Sequence, residues 1–497
     1  MNHPWLESYK TNNTPDFDTS SLSHFYNQPS HIWLDNQQLT NQAHDALDFI
    51  SGSSKHGLDP TNYHFAILDK LDPSQDSLSA QQFDLLLTDG LLKLIHDLTV
   101  GQLQSTIADP DWFIPQASFD NIAFLQQALL STHLKTELNS LIPTTSEYHK
   151  LTEVLARYQS FVGRGGWSEI PAMPLISPGD RHRHLSLVRK RLAFDDNVLV
   201  LSTKNNVQYY DPFLEQAVRH FQKKHGLKID GIIGSETRKA MNISAQDRLQ
   251  QIKVTLERHR WLPNNLGKRY LIINLANYKL KAINNGSEEL AMRVIVGRKS
   301  RQTPSFTSQL NHLVFNPYWN VPRKLAKLDL LPKQQQDFNY FYQHDIRVFT
   351  IENGHRVEHD PYLINWQSIT RSNFPYTLRQ DPGDQNALGK LKFLFPNQWS
   401  IYLHDTSHRE LFSETMRSIS SGCIRVEDPV ALANFSIAKP TSQQIITDMI
   451  DSKQNRGLKL TAPLSIYAVY ITVWVDGDDV IFSPDVYQRD KRMAKLL

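Results

Sequence analysis

Near residue 250 the apolar pattern changes period, and that change divides what the chain can fold into. Before it, apolar side chains recur every three to four residues, as on one face of a helix; after it they alternate, as on one face of a strand. LTNQAHDALDFISGSSKHG and FDLLLTDGLLKLIHDLTVG carry the helical spacing and stop at Gly57 and Gly101. TSEYHKLTEVLARYQSFVGRGGW is a third such run, closed by Gly163, Gly165 and Gly166. Beyond 250, YLIINLANYKLKAI and ELAMRVIVGR alternate around an Asn-Asn-Gly-Ser turn and predict a hairpin. HLVFNPYWNVP and WSIYLHDT predict further strands, and IYAVYITVWV and DVIFSPDVY flank a second turn at Asp476-Gly477-Asp478-Asp479. At 497 residues the chain is too long for one hydrophobic core. The pattern predicts a multidomain α+β protein.

Boundaries follow from composition. Residues 1–30 are polar and predict an extended arm, and 31–170 a helical scaffold domain. PAMPLISPGDR, with its prolines and glycine, predicts a linker over 171–182. Residues 183–245 predict a compact unit: HLSLVRKRL and DPFLEQAVRHFQKKHG read as amphipathic helices, and DGIIGSETRKAMN as a turn and short helix with Ser235 as N-cap. A strand-rich domain over 250–490 is interrupted at 323–380 by a long polar insertion. Its aromatic residues (Phe338, Tyr340, Phe341, Tyr342, Trp366) argue that it is ordered.

Charge excludes one class of partner. The 53 basic and 51 acidic residues nearly cancel, so nothing favours nucleic-acid binding by charge. No stretch reaches the ~18 apolar residues of a membrane helix, and the first residues lack a signal peptide's apolar middle. The chain holds one cysteine, Cys423, which rules out internal disulfides and a cysteine-ligated zinc site. A lone cysteine is commonly a small buried apolar side chain. Its surroundings point instead to a reactive thiol.

Cys423 follows Ser-Ser-Gly and precedes a helix start with Asp428 as N-cap and Pro429 at the first helical position, so it sits on a tight loop. In WSIYLHDT, alternation puts Ile401 and Leu403 on one face and Tyr402 and His404 on the other. A thiol with pKa ~8.5 needs a base to act near neutrality, and a histidine can take its proton and return it to a leaving amine. Gly422 lets the loop bend so that the amides of Gly422 and Cys423 face a developing oxyanion. Arg425 offers a planar cation, either for a substrate carboxylate or to brace the loop through a salt bridge. Tyr402 and Trp319 either line a pocket or pack into the fold. No HExxH or carboxylate cluster supports a metal site.

These residues carry a resemblance. The separation of His404 from Cys423, with Ser-x-Gly-Cys-x-Arg around the thiol, resembles the YkuD-type L,D-transpeptidase catalytic domain. Val296-Gly297-Arg298, Gln302-Thr303-Pro304, NPYWNVP, PGDQNALGKLKF and YLHDT follow the order of that family's large YcbB-like branch, and the 323–380 insertion resembles its substrate-capping subdomain. Residues 183–245, through AVRHFQKKHGL, Asp230-Gly231, Gly234, Thr237 and Ala240, resemble the peptidoglycan-binding-like module, whether it acts as a glycan binder or as a spacer. Many YkuD-type domains have a second histidine where this chain has Ser421, which leaves His404 as the base.

The resemblance implies Cys423 as nucleophile, His404 oriented through a backbone carbonyl near Asp405, and Ser421, Arg425, Tyr402 and Trp319 around the substrate. It implies no metal or organic cofactor. It implies peptidoglycan stem peptides as substrates (a donor tetrapeptide and an acceptor diaminopimelate amine), a 3→3 crosslink as product, and carbapenem β-lactams as inhibitors. It further implies a periplasmic location with an inner-membrane anchor outside this chain, alongside other cell-wall enzymes. A hydrolase using water as acceptor and a non-catalytic wall-binding scaffold are the alternative readings.

Overall fold

A computed structural model of the chain describes residues 17–26, 31–194, 207–439, 442–477 and 479–497. The chain divides into two compact units, Met1–Asn265 with Ile471–Leu497, and Leu266–Tyr470.

In the first unit the helices α1 (Thr19–Phe25), α2 (Asn41–Ser51), α3 (Ser77–Thr99), α4 (Asn121–Leu129) and α5 (Ser146–Gly163) each begin at an Asp or Thr whose side chain accepts a backbone N–H of the first turn. The polar N-terminal stretch departs from the expected extended arm over its described part. Asp18 caps α1, and Phe17, Leu22, Phe25 and Tyr26 are buried in the core with α2 and α3. The rest of that arm lies outside the described residues. A second core holds α6 (Leu185–Leu192), α7 (Pro212–Lys224) and α8 (Ser235–Met241) together through Leu185, Val188, Leu214, Val218, Phe221 and Met241. Gly234 occupies the N-cap of α8 and Ser235 is already its first helical residue, so the predicted serine cap does not form.

The change of period also falls later than the sequence suggests. Helix α9 runs over Ala245–Trp261 because its charged residues are paired inside, Glu257 with Arg260 at 3.0 Å among them. Buried charges of this kind erase the apolar stripe that marks a helix. Residues beyond 470, expected within the strand-rich domain, cluster with this first unit: the hairpin of Val473–Asp476 and Asp479–Phe482 puts Val473 and Phe482 against α5 and α9.

The second unit is built on a sheet of β1 (Arg269–Asn274), β2 (Lys279–Asn284), β3 (Ser287–Gly297) and β4 (Ser305–Phe315). The segment expected as one strand to Ile283 turns at Tyr278, with φ +58°, making β1 and β2 separate strands. After β4, the short strand β5 (Trp319–Asn320) leaves the main sheet and joins the insertion. There α10 (Leu331–Gln336) covers a four-stranded sheet ordered β7 (His355–His359), β6 (Ile346–Glu352), β8 (Thr377–Gln380), β5. This insertion has its own core of Leu330, Leu331, Phe341, Val348, Trp366, Phe374 and Leu378.

The chain re-enters the main sheet as β9 (Leu391–Leu394), β10 (Leu403–His404), β11 (Ser418–Ser420) and β12 (Ile424–Val426). Helix α11 (Pro429–Ile437) and strand β13 (Arg456–Val469) follow. The pairing order β9-β10-β12-β3-β2-β1-β13-β4 closes on itself through β4–β9, with β11 alongside β3. Closure leaves no free edge in that ring. The α+β expectation holds.

Candidate active site

Cys423 sits between β11 and β12 on a loop held by Ser420, Thr303 and Arg298. Ser420 Oγ donates to the Cys423 carbonyl at 2.6 Å and accepts the Gly422 N–H at 3.1 Å. Thr303 Oγ1 donates to the Gly422 carbonyl at 2.8 Å and accepts the Gly297 N–H at 2.9 Å. The Arg298 N–H donates to the Ser420 carbonyl at 2.9 Å. Gly422 itself has φ +119°, a conformation that L side chains avoid. After the loop, Asp428 caps α11 by accepting the Ala431 N–H, and Pro429 is its first residue, as the sequence predicts.

The thiol is half-buried. Burial pushes its pKa up, opposed by the Tyr402 N–H, the Lys392 ammonium, the Tyr402 hydroxyl and Arg425. Burial and the neighbouring sulfur drive the Tyr402 hydroxyl pKa far up. The Ser400 carbonyl lies 3.9 Å from Sγ.

His404 is 5% exposed. It lies on β10, which runs parallel to β12 with His404 beside Arg425. Its Nδ1 donates to the Asp405 carbonyl at 2.5 Å, which leaves Nε2 as the basic nitrogen. Asp405's carboxylate is occupied elsewhere, accepting the Lys390 N–H at 2.9 Å and pairing with Arg409 at 3.0 Å. Burial, with Arg425 and Lys392 nearby, lowers the His404 pKa to about 3. The resting pair is therefore a neutral imidazole and a neutral thiol.

Cys423, His404, Gly422, Arg425, Tyr402, Trp319 and Ser421 all line one cleft of about 830 Å³. Among the described residues Arg425 makes no ion pair, and its Nε is buried with no hydrogen-bond partner, so no loop-bracing salt bridge is seen there. Trp319 does both things considered for it, facing the cleft while packing on the insertion's core at the edge of its sheet. Ser421 Oγ accepts from Arg301 at 3.0 Å, and Arg301 pairs bidentately with Asp329 of the insertion. The expected pair of oxyanion amides is corrected: the Gly422 N–H is already taken by Ser420 Oγ. Among the described residues the Cys423 N–H has no internal acceptor.

Beyond Arg425, sequence reading did not single out the cations of this cleft. Arg298, Arg301, Lys324, Lys333 and Arg425 line it against one carboxylate, Asp329. Lys392, on β9 opposite His404, holds its ammonium 3.8 Å from the centre of the Tyr402 ring. Strand alternation could have singled out Lys392, a charge between the core residues Leu391 and Phe393. Among the described residues no group of three or more His, Cys, Asp or Glu side chains could hold a metal ion, and no helix is long and apolar enough to cross a membrane.

Residues 268–446 match the family model described as the L,D-transpeptidase catalytic domain. The second unit matches the L,D-transpeptidase catalytic domain over most of its length. Two further models match in the first unit: "Scaffold domain" over residues 20–155 and "Putative peptidoglycan binding domain" over 190–241. A Haemophilus influenzae protein named "Putative L,D-transpeptidase" is 35% identical over 245 residues, 49% of this chain and 49% of that protein, so the match spans about half the length of this curated relative. Among solved structures, an L,D-transpeptidase from Mycobacterium smegmatis matches at 11% identity over 41% of this chain and 58% of that one, with TM-score 0.20. One from Stackebrandtia nassauensis matches at 11% identity over 60% and 97%, with TM-score 0.22. The L,D-transpeptidase match begins one residue before β1 and contains the whole cleft, including Cys423 and His404.

Proposed function

We propose that the protein is a cysteine L,D-transpeptidase that joins peptidoglycan stem peptides by 3→3 crosslinks. The observation that carries the proposal is the lone thiol on its braced loop, sharing a cationic cleft with a histidine whose free nitrogen is basic and unprotonated. In the first half-reaction the Cys423 sulfur attacks the carbonyl of the donor's third residue as its proton passes to His404 Nε2. The Cys423 N–H takes the oxyanion charge. The C–N bond to the terminal D-Ala then breaks, D-Ala's amine takes the proton from His404, and a thioester remains.

In the second half, a diaminopimelate side-chain amine attacks the thioester carbonyl and gives its proton to His404. The C–S bond breaks and the proton returns to sulfur. Arg425 and Arg298, neither paired to a carboxylate in the described structure, suit the carboxylates that stem peptides bring. The insertion, tied to the catalytic loop through Asp329 and Arg301, would keep water from the thioester. The substrate locates the protein in the bacterial cell envelope, on the periplasmic side.

Two measurements test the reading. Purified protein with disaccharide-tetrapeptides is expected to yield 3→3 dimers by mass spectrometry, and shortened monomers alone would make it a hydrolase. A carbapenem is expected to add its mass to the wild type and not to Cys423→Ala. An unmodified wild type would leave only the wall-binding scaffold.

A further inference from the structure

Lys392 is a charge in an unusual place. Strands β9 and β10 run antiparallel with Lys392 directly across from His404, and directly opposed residues share a face of the sheet. On β9's other side its neighbour is Val314 of β4. The side chain is half-buried with its ammonium over the face of Tyr402, which lines the same cleft as Cys423 and lies close enough for the sulfur to act on its hydroxyl. The titratable or charged groups facing it are Tyr402, His404 and Cys423 from the segments carrying the site, and Arg425 from β12. Among the described residues no carboxylate pairs with it.

Keeping an unpaired ammonium away from water costs stability, and methionine could cover the Tyr402 ring without that cost. In this arrangement the anion available to the ammonium is the sulfur once it loses its proton. A cation on the ring face also draws electron density from the phenol, making its O–H a stronger donor to sulfur.

We infer that Lys392 is a positioning residue of the nucleophile, a cation that stabilises the Cys423 thiolate through the ring and hydroxyl of Tyr402. The inference rests on Cys423 being the nucleophile of the proposed function. It goes beyond that reading by giving the site a second electrostatic device beside the His404 base. Burial pulls the Lys392 pKa below the usual lysine range, and the neighbouring Cys423 pulls it back up, in keeping with this pairing.

Because the chain holds one cysteine, the whole-protein mass reports alkylation of Cys423 alone. The experiment follows iodoacetamide alkylation against pH for wild type, Lys392→Met and Lys392→Arg. Lys392→Met is expected to slow alkylation at pH 7 about tenfold and move its midpoint up by about one pH unit, while Lys392→Arg stays within about threefold of wild type. A Lys392→Met profile superimposable on wild type would overturn the inference, as would an arginine variant as slow as the methionine one. If Lys392→Met loses its near-ultraviolet circular dichroism, Lys392→Gln is measured in its place. Alkylation needs no peptidoglycan. A protein that gives this pattern but no 3→3 dimers keeps the role of Lys392 and loses the proposed function.

Discussion

At the scale of single residues, His404 is the most informative side chain. An ordinary histidine titrates near pH 6.5. Burial and two neighbouring cations hold His404 to about 3, so it is a neutral base across the working range. Its kcat/KM acid limb is therefore expected well below pH 6. A half-fall near 6.5 in a pH–rate profile would show a solvated imidazole instead. The same shift couples to stability. Between about pH 6.5 and about 3 the unfolded chain binds a proton that folded His404 refuses, so stability falls as pH falls through that window. At pH 5 this amounts to about 2 kcal/mol. His404→Gln is accordingly expected to lose less melting temperature between pH 7 and pH 5 than wild type does. Differential scanning calorimetry at the two pH values checks it, and equal losses would contradict the assignment.

At the scale of elements, the loop between β11 and β12 separates two uses of glycine. A Cβ on Gly422 would meet nothing closer than the Arg301 carbonyl at 4.0 Å, so Gly422→Ala is strained only by its φ of +119°. A cost of about 1–3 kcal/mol is expected, with loss of crosslinking because the loop relaxes. A Cβ on Gly297 would sit 2.2 Å from the Arg301 carbonyl and 2.8 Å from the Thr303 nitrogen, so Gly297→Ala must move the segment that holds the Gly422 carbonyl. It is expected to be the more destabilising of the two in urea unfolding, and the reverse order would refute this account.

What the sequence made legible here follows from range. The tight loop, the cap at Asp428 and the face shared by Tyr402 and His404 are local patterns, and the structure reproduces them. The turn at Tyr278 was not legible, because it forms without glycine or proline. Nor was the Thr303 bond to Gly422, which joins residues 119 apart. The hold of Ser420 Oγ on the Gly422 N–H is local in sequence, yet depends on how the whole loop folds, and it removed one expected oxyanion donor.

At the scale of the molecule, a formal net charge of +2 hides a cleft lined by five cations and one carboxylate. Composition averages over surfaces, and the site is a departure from the average. Domain order hides something similar, for the chain leaves the first unit at residue 265 and returns at 471. The returning segment is bound there by a buried ionic cluster. Arg258, fully buried on α9, donates to Asp490 from one side and lies 3.6 Å from Asp109 on the other, while Thr472 also donates to Asp490. Removing one partner of such a cluster leaves an uncompensated buried charge, at a cost of about 3–5 kcal/mol. Asp490→Leu is therefore expected to unfold the first unit at markedly lower urea. The catalytic cleft lies wholly in the second unit, so acylation of Cys423 by a carbapenem, which needs the folded site, should persist beyond that transition. Loss of acylation in step with the first transition would mean that the two units unfold as one, and that the C-terminal segment's hold on the first unit is also a condition for the cleft.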